Sequence, residues 1–151
     1  MPIASTVLPS GSDIDLNASA TTASISPTAN RLILAAVARI DFFANVTPSV
    51  AGSGLTLVQI AHITAAAADG VSLTLFRALS SGPGTGALTI SCPAAQNSIL
   101  WSVVEFSEVI SSGVDGANAI IQADQSISTG GTNANTTLAA FANVDKATYV
   151  A

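Results

Sequence analysis

The chain has 151 residues and a net charge of −5, and only 9% of its residues are charged, against about 25% in a typical soluble domain. Its four basic side chains are too few to neutralise a row of phosphates, which argues against nucleic acid and anionic membranes as partners. The length predicts one domain, and the single cysteine, Cys92, excludes an internal disulfide and a cysteine-based zinc site.

The first 24 residues are rich in Ser, Thr and Ala and show little apolar periodicity. We predict an extended N-terminal arm over residues 1–24, which would lie on a neighbouring subunit, and a β-sandwich domain over residues 25–151. The N-terminus has neither the basic residues nor the apolar core of a signal peptide, which predicts synthesis in the cytoplasm. Candidate assembly contacts are the apolar residues of the arm and of the chain's end: Pro2, Ile3, Val7, Leu8, Ile14, Leu16, Tyr149 and Val150.

From residue 31 onward, short strands recur at intervals of about 10 to 15 residues, which is typical of an antiparallel β-sandwich, either jelly-roll or immunoglobulin-like. Residues 31–42 alternate between two faces, and Arg31, Arg39 and Asp41 fall on the less apolar one. Asp69-Gly70 predicts a hairpin that pairs residues 55–63 with residues 71–79. The other face of the first strand carries Leu32, Leu34, Ala36, Ala38, Ile40 and Phe42.

The second half of the chain continues the strand pattern after a glycine-rich loop at residues 82–86. Leu88, Ile90 and Cys92 alternate with hydroxylated residues, and Pro93 is expected to break this strand. Residues 99–106 are the most hydrophobic segment and should form a central strand. Further short strands are predicted at residues 119–123, 136–141 and 147–151.

Two acidic patterns resemble sites of chemistry but have simpler explanations. The motif Asp13-x-Asp15-x-Asn17 begins like a calcium loop, yet the required glycine and terminal glutamate are absent, so we expect capping of a local turn. Glu105 and Glu108 form the closest carboxylate pair near Trp101, but their spacing on a strand that runs into a turn does not make them face each other. The sequence therefore predicts neither a metal site nor a catalytic acid pair.

The remaining candidates also favour structural roles. His62 is the only histidine and no Gly-x-Ser-x-Gly motif accompanies it, so we expect a residue whose hydrogen bonds are satisfied or that faces solvent. The glycine-rich loop at residues 82–86 has no lysine and no following helix, unlike a phosphate loop. Trp101 is expected to pack in the core instead of stacking on a sugar. We predict a protein that is not an enzyme and binds no cofactor or small-molecule substrate.

Four segments resemble a loosely defined group of β-sandwich domains from tailed bacteriophages and related metagenomic genes. They are ISPTANRLIL at residues 25–34, GLTLVQ at residues 54–59, LTLFRA at residues 73–78 and WSVVEF at residues 101–106. The resemblance extends from about residue 20 to the end of the chain. It implies a virion structural protein of the head surface or the tail, and it transfers no functional residues because the group has no site motif.

Sparse charge, the polar arm and this resemblance together lead to the expectation of a capsid decoration protein on the virion surface. Its partners would be the major capsid protein and copies of itself, with a homotrimer favoured over a dimer. The alternatives are a carbohydrate-binding or adhesin module of a tail tip or fibre, and a subunit of a filament or sheath. All of these roles assume that the chain assembles with other subunits. If it does not, the alternative is a small secreted domain that stays soluble through its hydroxyl groups.

Overall fold

The structure is a computed structural model that describes residues 3–40, 46–65 and 70–126. Within these ranges the chain forms a series of β-strands followed by a short 3₁₀ helix over Val114–Ala119, which is kinked at Asp115 and Gly116. The strands are β1 (Ala4–Asp13), β2 (Asn17–Thr21), β3 (Leu32–Ile40), β4 (Ser49–Gly52), β5 (Val58–Thr64), β6 (Val71–Leu79), β7 (Leu88–Gln96) and β8 (Ser98–Ser107).

The strands form two packed antiparallel sheets, which confirms the predicted β-sandwich. One sheet has five strands in the order β1-β8-β3-β6-β5, and the other has three in the order β2-β7-β4. The pairs β1–β8, β2–β7 and β3–β6 are those of a long antiparallel ribbon rolled around itself, which is the jelly-roll arrangement. An immunoglobulin fold instead places its first two strands in one sheet. The arrangement differs from a regular jelly roll in the position of β5, which lies beside β6 in the larger sheet and not beside β4.

β3 is the middle strand of the larger sheet, and both of its faces are buried from Leu32 to Val37. Ile33, Ala35 and Val37 face the second sheet in the main core, whereas Leu32 and Leu34 belong to a second cluster on the outer face. The expectation that the face carrying Arg39 is the less apolar one is therefore wrong for most of β3, and Arg39 itself is only 1% exposed. Apolar residues at both odd- and even-numbered positions are typical of a strand that is covered on both sides.

The predicted N-terminal arm is extended, but it belongs to the sandwich, so its interpretation as an arm lying off the domain is wrong for the described residues. β1 pairs with β8 from Ala4 to Asp13, and β2 pairs with β7. An edge strand needs few apolar side chains, because its backbone hydrogen bonds hold it to the sheet while much of its surface faces solvent. A segment rich in Ser, Thr and Ala therefore suits both edges.

The remaining strand predictions agree with the structure only in part. The hairpin of β5 with β6 is confirmed, and β8 is an interior strand although β3 is the central one. Pro93 does not end β7, because it lies in the irregular stretch between Ser91 and Gln96 where the ladder with β2 shifts register. The strand predicted at residues 119–123 is absent, because Ala119 ends the 3₁₀ helix and residues 120–123 have no regular structure. The strands predicted at 136–141 and 147–151 lie outside the described residues.

Candidate functional site

The outer face of the five-stranded sheet carries an apolar surface that is partly open to solvent. Leu100 is 41% exposed and Val71 is 39% exposed, although both lie within strands. Their neighbours on the same face are Ala38, Ile40, Ile63 and Leu73, all half-buried. We call these six residues the apolar sheet face.

The strand register places these residues side by side. Leu100 of β8 is opposite Ala38 of β3, Ala38 is opposite Leu73 of β6, and Leu73 is opposite Ile63 of β5. Ile40 and Val71 form the next row. Adjacent strands lie about 4.8 Å apart, so the row of four spans about 15 Å. Four apolar side chains in one row make a continuous strip.

Only part of this outer face is covered by the chain's own described residues. At the end of the sheet near the start of β3, Leu32, Leu34, Val104 and Phe106 pack against the segment that follows β8. This covering segment contributes Val109, Ala119 and Ile120. The apolar sheet face lies toward the other end, beyond that cluster.

No ionised residue lies in the rows of the apolar sheet face among the described positions. The positions around them on β1 and β8 are serines: Ser12 is opposite Leu100, and Ser98 is opposite Ile40. An apolar centre with a hydroxylated rim resembles the composition of protein–protein interfaces, whose cores are depleted of charge. The arrangement suits docking against another protein surface.

The assembly contacts predicted from the sequence fall at a different place in the fold. Val7, Ile14 and Leu16 are exposed on β1 and on the corner between β1 and β2. Ile3 and Leu8 instead pack against the chain's own hydrophobic clusters. Pro2, Tyr149 and Val150 lie outside the described residues. The structure brings Ile14 and Leu16 together at one corner and leaves their role in assembly a prediction.

The sequence contained a signal for the apolar sheet face that the alternation of residues 31–42 concealed. In β3 the odd- and even-numbered positions are both apolar. In β6 the residues Val71, Leu73 and Leu75 alternate with Ser72, Thr74 and Phe76. In β6 the hydroxylated residues face the core, since Ser72 and Thr74 are buried. Periodicity alone favours the opposite orientation.

The core contains a polar group at the end of the sandwich where β7 turns into β8. Arg39 Nη1 of β3 donates to Gln96 Oε1 of β7 across 2.7 Å, which ties the two sheets together. Gln96 Nε2 donates to the carbonyl oxygens of Ala94 and Ala95 at 2.8 and 3.2 Å. Both side chains are 1% exposed. Buried polar groups with several partners hold one packing arrangement, so this pair fixes the corner where the chain changes sheets.

His62 lies beside this polar group on β5, and the prediction that its hydrogen bonds are satisfied is confirmed. Its Nδ1 is 2.8 Å from Thr74 Oγ1, and its Nε2 is 3.2 Å from Thr64 Oγ1. Burial and, to a smaller extent, the positive charge of Arg39 lower the pKa of His62 from its ordinary value of 6.5. The folded protein therefore favours the neutral imidazole.

This lowered pKa predicts how stability depends on pH. The unfolded chain takes up the proton at a higher pH than the folded chain, so the free energy of unfolding should decrease as the pH falls below about 6.5. The decrease should end once the pH is below the folded pKa. Urea denaturation at about pH 7.5 and about pH 5.5 measures the effect, and the His62→Gln variant should lose most of the difference. An equal pH dependence in both proteins would contradict the prediction.

A shallow open groove of about 450 Å³ lies next to His62. It is lined by β5 residues and by the segment after the 3₁₀ helix: Gln59, Ile60, Ala61, His62, Ala123, Asp124 and Gln125. Amide, imidazole and carboxylate groups therefore lie at one edge of the larger sheet. The lining contains no Phe, Tyr or Trp side chain among the described residues.

The other candidates have structural roles. Asp13 Oδ1 accepts from the Asp15 amide at 3.0 Å and from Asn17 Nδ2 at 3.2 Å, which confirms the predicted capping of a local turn. Glu105 is buried and accepts from Arg31, whereas Glu108 is exposed with φ 59°, so the two carboxylates have different environments. The described residues contain no group of three or more His, Cys, Asp or Glu side chains arranged to hold a metal.

Trp101 packs against the main core, as predicted, but it is not fully enclosed. Gly11 of β1 is its register partner, and a Cβ at Gly11 would lie 2.7 Å from the indole ring. The glycine thus leaves room for the ring beneath β1. The indole nitrogen Nε1 is buried without a hydrogen-bond partner among the described residues. A ring covered in this way is not available to stack on a sugar.

No helix in the described part of the chain is long and apolar enough to cross a membrane. Comparison with known proteins found no matching family model, no similar curated protein and no similar solved structure.

Proposed function

We propose that this chain is a structural subunit of a virion, a capsid decoration protein that docks on neighbouring subunits through its apolar sheet face. The partners in this proposal are the major capsid protein and further copies of the chain, assembled as a homotrimer. The observation that supports it most directly is the row Leu100, Ala38, Leu73 and Ile63, which is apolar, contiguous and partly exposed. The low content of charged residues agrees with a surface that is covered in use.

The contact would need more area than the apolar sheet face alone. The longest row of this face spans about 15 Å, whereas one side of a standard interface covers about 800 Å², so the surrounding uncovered positions of the sheet would have to contribute. Burial of apolar surface stabilises such a contact by roughly 25 cal/mol per Å² before the entropic cost of association. The apolar sheet face would supply the centre, and the serines of β1 and β8 would supply the rim.

A charge placed in the centre of the apolar sheet face tests the proposal. The Leu100→Lys variant should lower the affinity for the capsid, and the affinity between copies, by tenfold or more, because an unpaired ammonium group would be desolvated at the contact. Thr89→Lys is the matched control, since it adds the same charge at an exposed position of β7 in the other sheet. Sedimentation velocity measures self-association, and co-sedimentation with undecorated capsids measures docking.

Two results would overturn the proposal. One is a wild-type chain that remains monomeric at millimolar concentration and does not sediment with capsids. The other is equal binding by Leu100→Lys and wild type, which would exclude this face as the contact. Circular dichroism of both lysine variants verifies that the sandwich is intact.

The groove beside β5 favours a second candidate, a carbohydrate-binding module of a tail tip. Amide and carboxylate side chains such as Gln59, Asp124 and Gln125 are suited to hydrogen bonds with sugar hydroxyl groups. A glycan array with the intact chain tests it, and Gln59→Ala should abolish any signal that arises from this groove. A uniformly negative array would remove this candidate and leave the docking proposal unaffected.

A further inference from the structure

We propose that β1 is exchanged between copies of this chain, so that β1 of one copy pairs with β8 of a second copy. The exchange concerns contacts between copies and stands independently of the capsid role. In the exchanged form each β8 keeps the ladder described above, from Ala4 opposite Ser107 to Asp13 opposite Ile99, but the two strands come from different molecules. The closed and exchanged forms therefore contain nearly the same contacts, and small effects at the connection decide between them.

β1 is held to its own domain by one strand ladder and by a few side chains. It lies at the edge of the larger sheet, and β8 is its one strand partner among the described elements. Leu8 reaches the main core and is half-buried, whereas Val7 is 63% exposed. The ladder is interrupted between Val7 and Ser10, next to Pro9. Detachment of β1 uncovers Trp101 and removes the contacts of Ile3 and Leu8, and pairing with β8 of a second copy restores these contacts together with the backbone hydrogen bonds.

The connection from β1 to β2 is short and strained. Three residues, Ile14, Asp15 and Leu16, carry the chain from one sheet to the other. Leu16 has φ 57°, in the left-handed region, which costs a residue with a Cβ roughly 1–2 kcal/mol. Short connections under strain favour exchange, because the strain is released when the two strands separate and the connection extends.

The same corner exposes apolar surface that an exchanged pair would cover. Ile14 is 71% exposed and Leu16 is 62% exposed in the closed form. When two connections extend side by side, these residues of both copies come together and form a contact that the closed form lacks. The hydrogen bonds of Asp13 with Asp15 and Asn17 hold the closed corner, but all are exposed, so water replaces them at small cost.

Along the paired strands, charge does not oppose the exchange. Asp13 is the single charged residue of β1, and it lies at the end of the strand. On the part of β8 that pairs with β1, Glu105 is the single charged residue, and it is buried in an ion pair with Arg31. At the extended connections, Asp13 and Asp15 of both copies come near one another, and the repulsion between these carboxylates opposes the apolar contact of Ile14 and Leu16 there.

Disulfide trapping between two different single-cysteine variants tests the exchange. Ser10 and Ser102 are opposite each other in the ladder, and the Cα separation of directly opposite residues suits a disulfide. Ser10→Cys and Ser102→Cys are made separately, each with Cys92→Ala to remove the native thiol. The two variants are refolded together from denaturant and oxidised. A disulfide between them can form in register only when β1 of one molecule lies on β8 of the other.

The expected result is a disulfide-linked heterodimer, identified by mass spectrometry of the peptide pair that joins positions 10 and 102, at least fivefold more abundant than with a mismatched pair. The mismatched pair is Ser5→Cys with Ser102→Cys, since Ser5 is opposite Phe106. Leu16→Gly, which removes the strain of the corner, should lower the yield of the heterodimer. A yield no higher than that of the mismatched pair overturns the proposal. The docking role is tested separately by co-sedimentation of Leu100→Lys with capsids. Leu100 is opposite Ser12 in the ladder, but the substitution changes a side chain on the outer face and leaves the backbone pairing of β1 with β8 in place, so the capsid experiment and the disulfide experiment can fail independently.

Discussion

Replacement of Gly52 by alanine should destabilise the protein by about 3 kcal/mol or more, because it combines a disfavoured backbone with a direct collision. Gly52 ends β4 with φ 139°, a conformation that residues with a Cβ rarely adopt. A Cβ built there would lie 2.3 Å from the carbonyl oxygen of Ala87 and 3.1 Å from the Cα of Leu88. Both neighbours are backbone atoms at the start of β7, so the sheet itself would have to shift.

Gly82→Ala is the matched control for this experiment. Gly82 lies in the loop after β6, and a Cβ added there would meet no atom within 4 Å. Urea denaturation of both variants measures the difference, and the melting temperature of Gly52→Ala should fall by about 10 °C, at roughly 2–4 °C per kcal/mol for a chain of this size. Equal stability of the two alanine variants would mean that β4 and β7 are not packed as closely as described.

Removal of Arg31 should destabilise the protein by about 2 kcal/mol, because it leaves a buried carboxylate without its cation. Glu105 is 4% exposed, and its Oε1 accepts from Arg31 Nη1 at 2.8 Å. Its Oε2 accepts from the Thr28 amide at 2.6 Å, so the carboxylate also holds the loop before β3. The expected loss of stability is smaller than for a fully buried ion pair. The Arg31 side chain is 39% exposed, so water can replace part of its interaction with the carboxylate.

Glu105→Gln should lower the free energy of unfolding by less than the removal of Arg31, by about 1 kcal/mol. The half-exposed guanidinium of Arg31 can be hydrated once its partner is neutral. The double variant Arg31→Ala with Glu105→Gln should be more stable than the sum of the single changes predicts, by about 1 kcal/mol. A double-mutant cycle from urea denaturation measures this coupling. Strictly additive losses would show that the ion pair does not contribute as a pair.

The strands that could be predicted from the sequence are those bounded by strong local signals. Asp69-Gly70 lies between two apolar runs, and β5 and β6 pair across it. The alternation around Leu88, Ile90 and Cys92 predicts a half-buried strand, and these three residues of β7 are buried while their neighbours are exposed. Turn chemistry and a period of two are local properties, so one sequence is sufficient to recognise them.

The features that were missed depend on contacts between distant segments. Nothing near β1 indicates that Gly11 lies against Trp101, which is ninety residues further along the chain. Arg39 has the charge of a surface residue and is buried because Gln96 of the other sheet accepts its hydrogen bond. The apolar sheet face was hidden for the same reason, since local periodicity does not reveal which of two apolar faces the second sheet will cover.

The pairing of β1 with β8 has a consequence for synthesis on the ribosome. Ala4 is opposite Ser107, so β1 is synthesised about one hundred residues before the strand with which it pairs. At about 5–20 residues per second, that interval lasts roughly 5–20 s. Several nascent chains translated from the same messenger RNA would expose unpaired first strands close to one another during this time. If β1 is exchanged between copies as proposed, the exchange would therefore begin on polysomes.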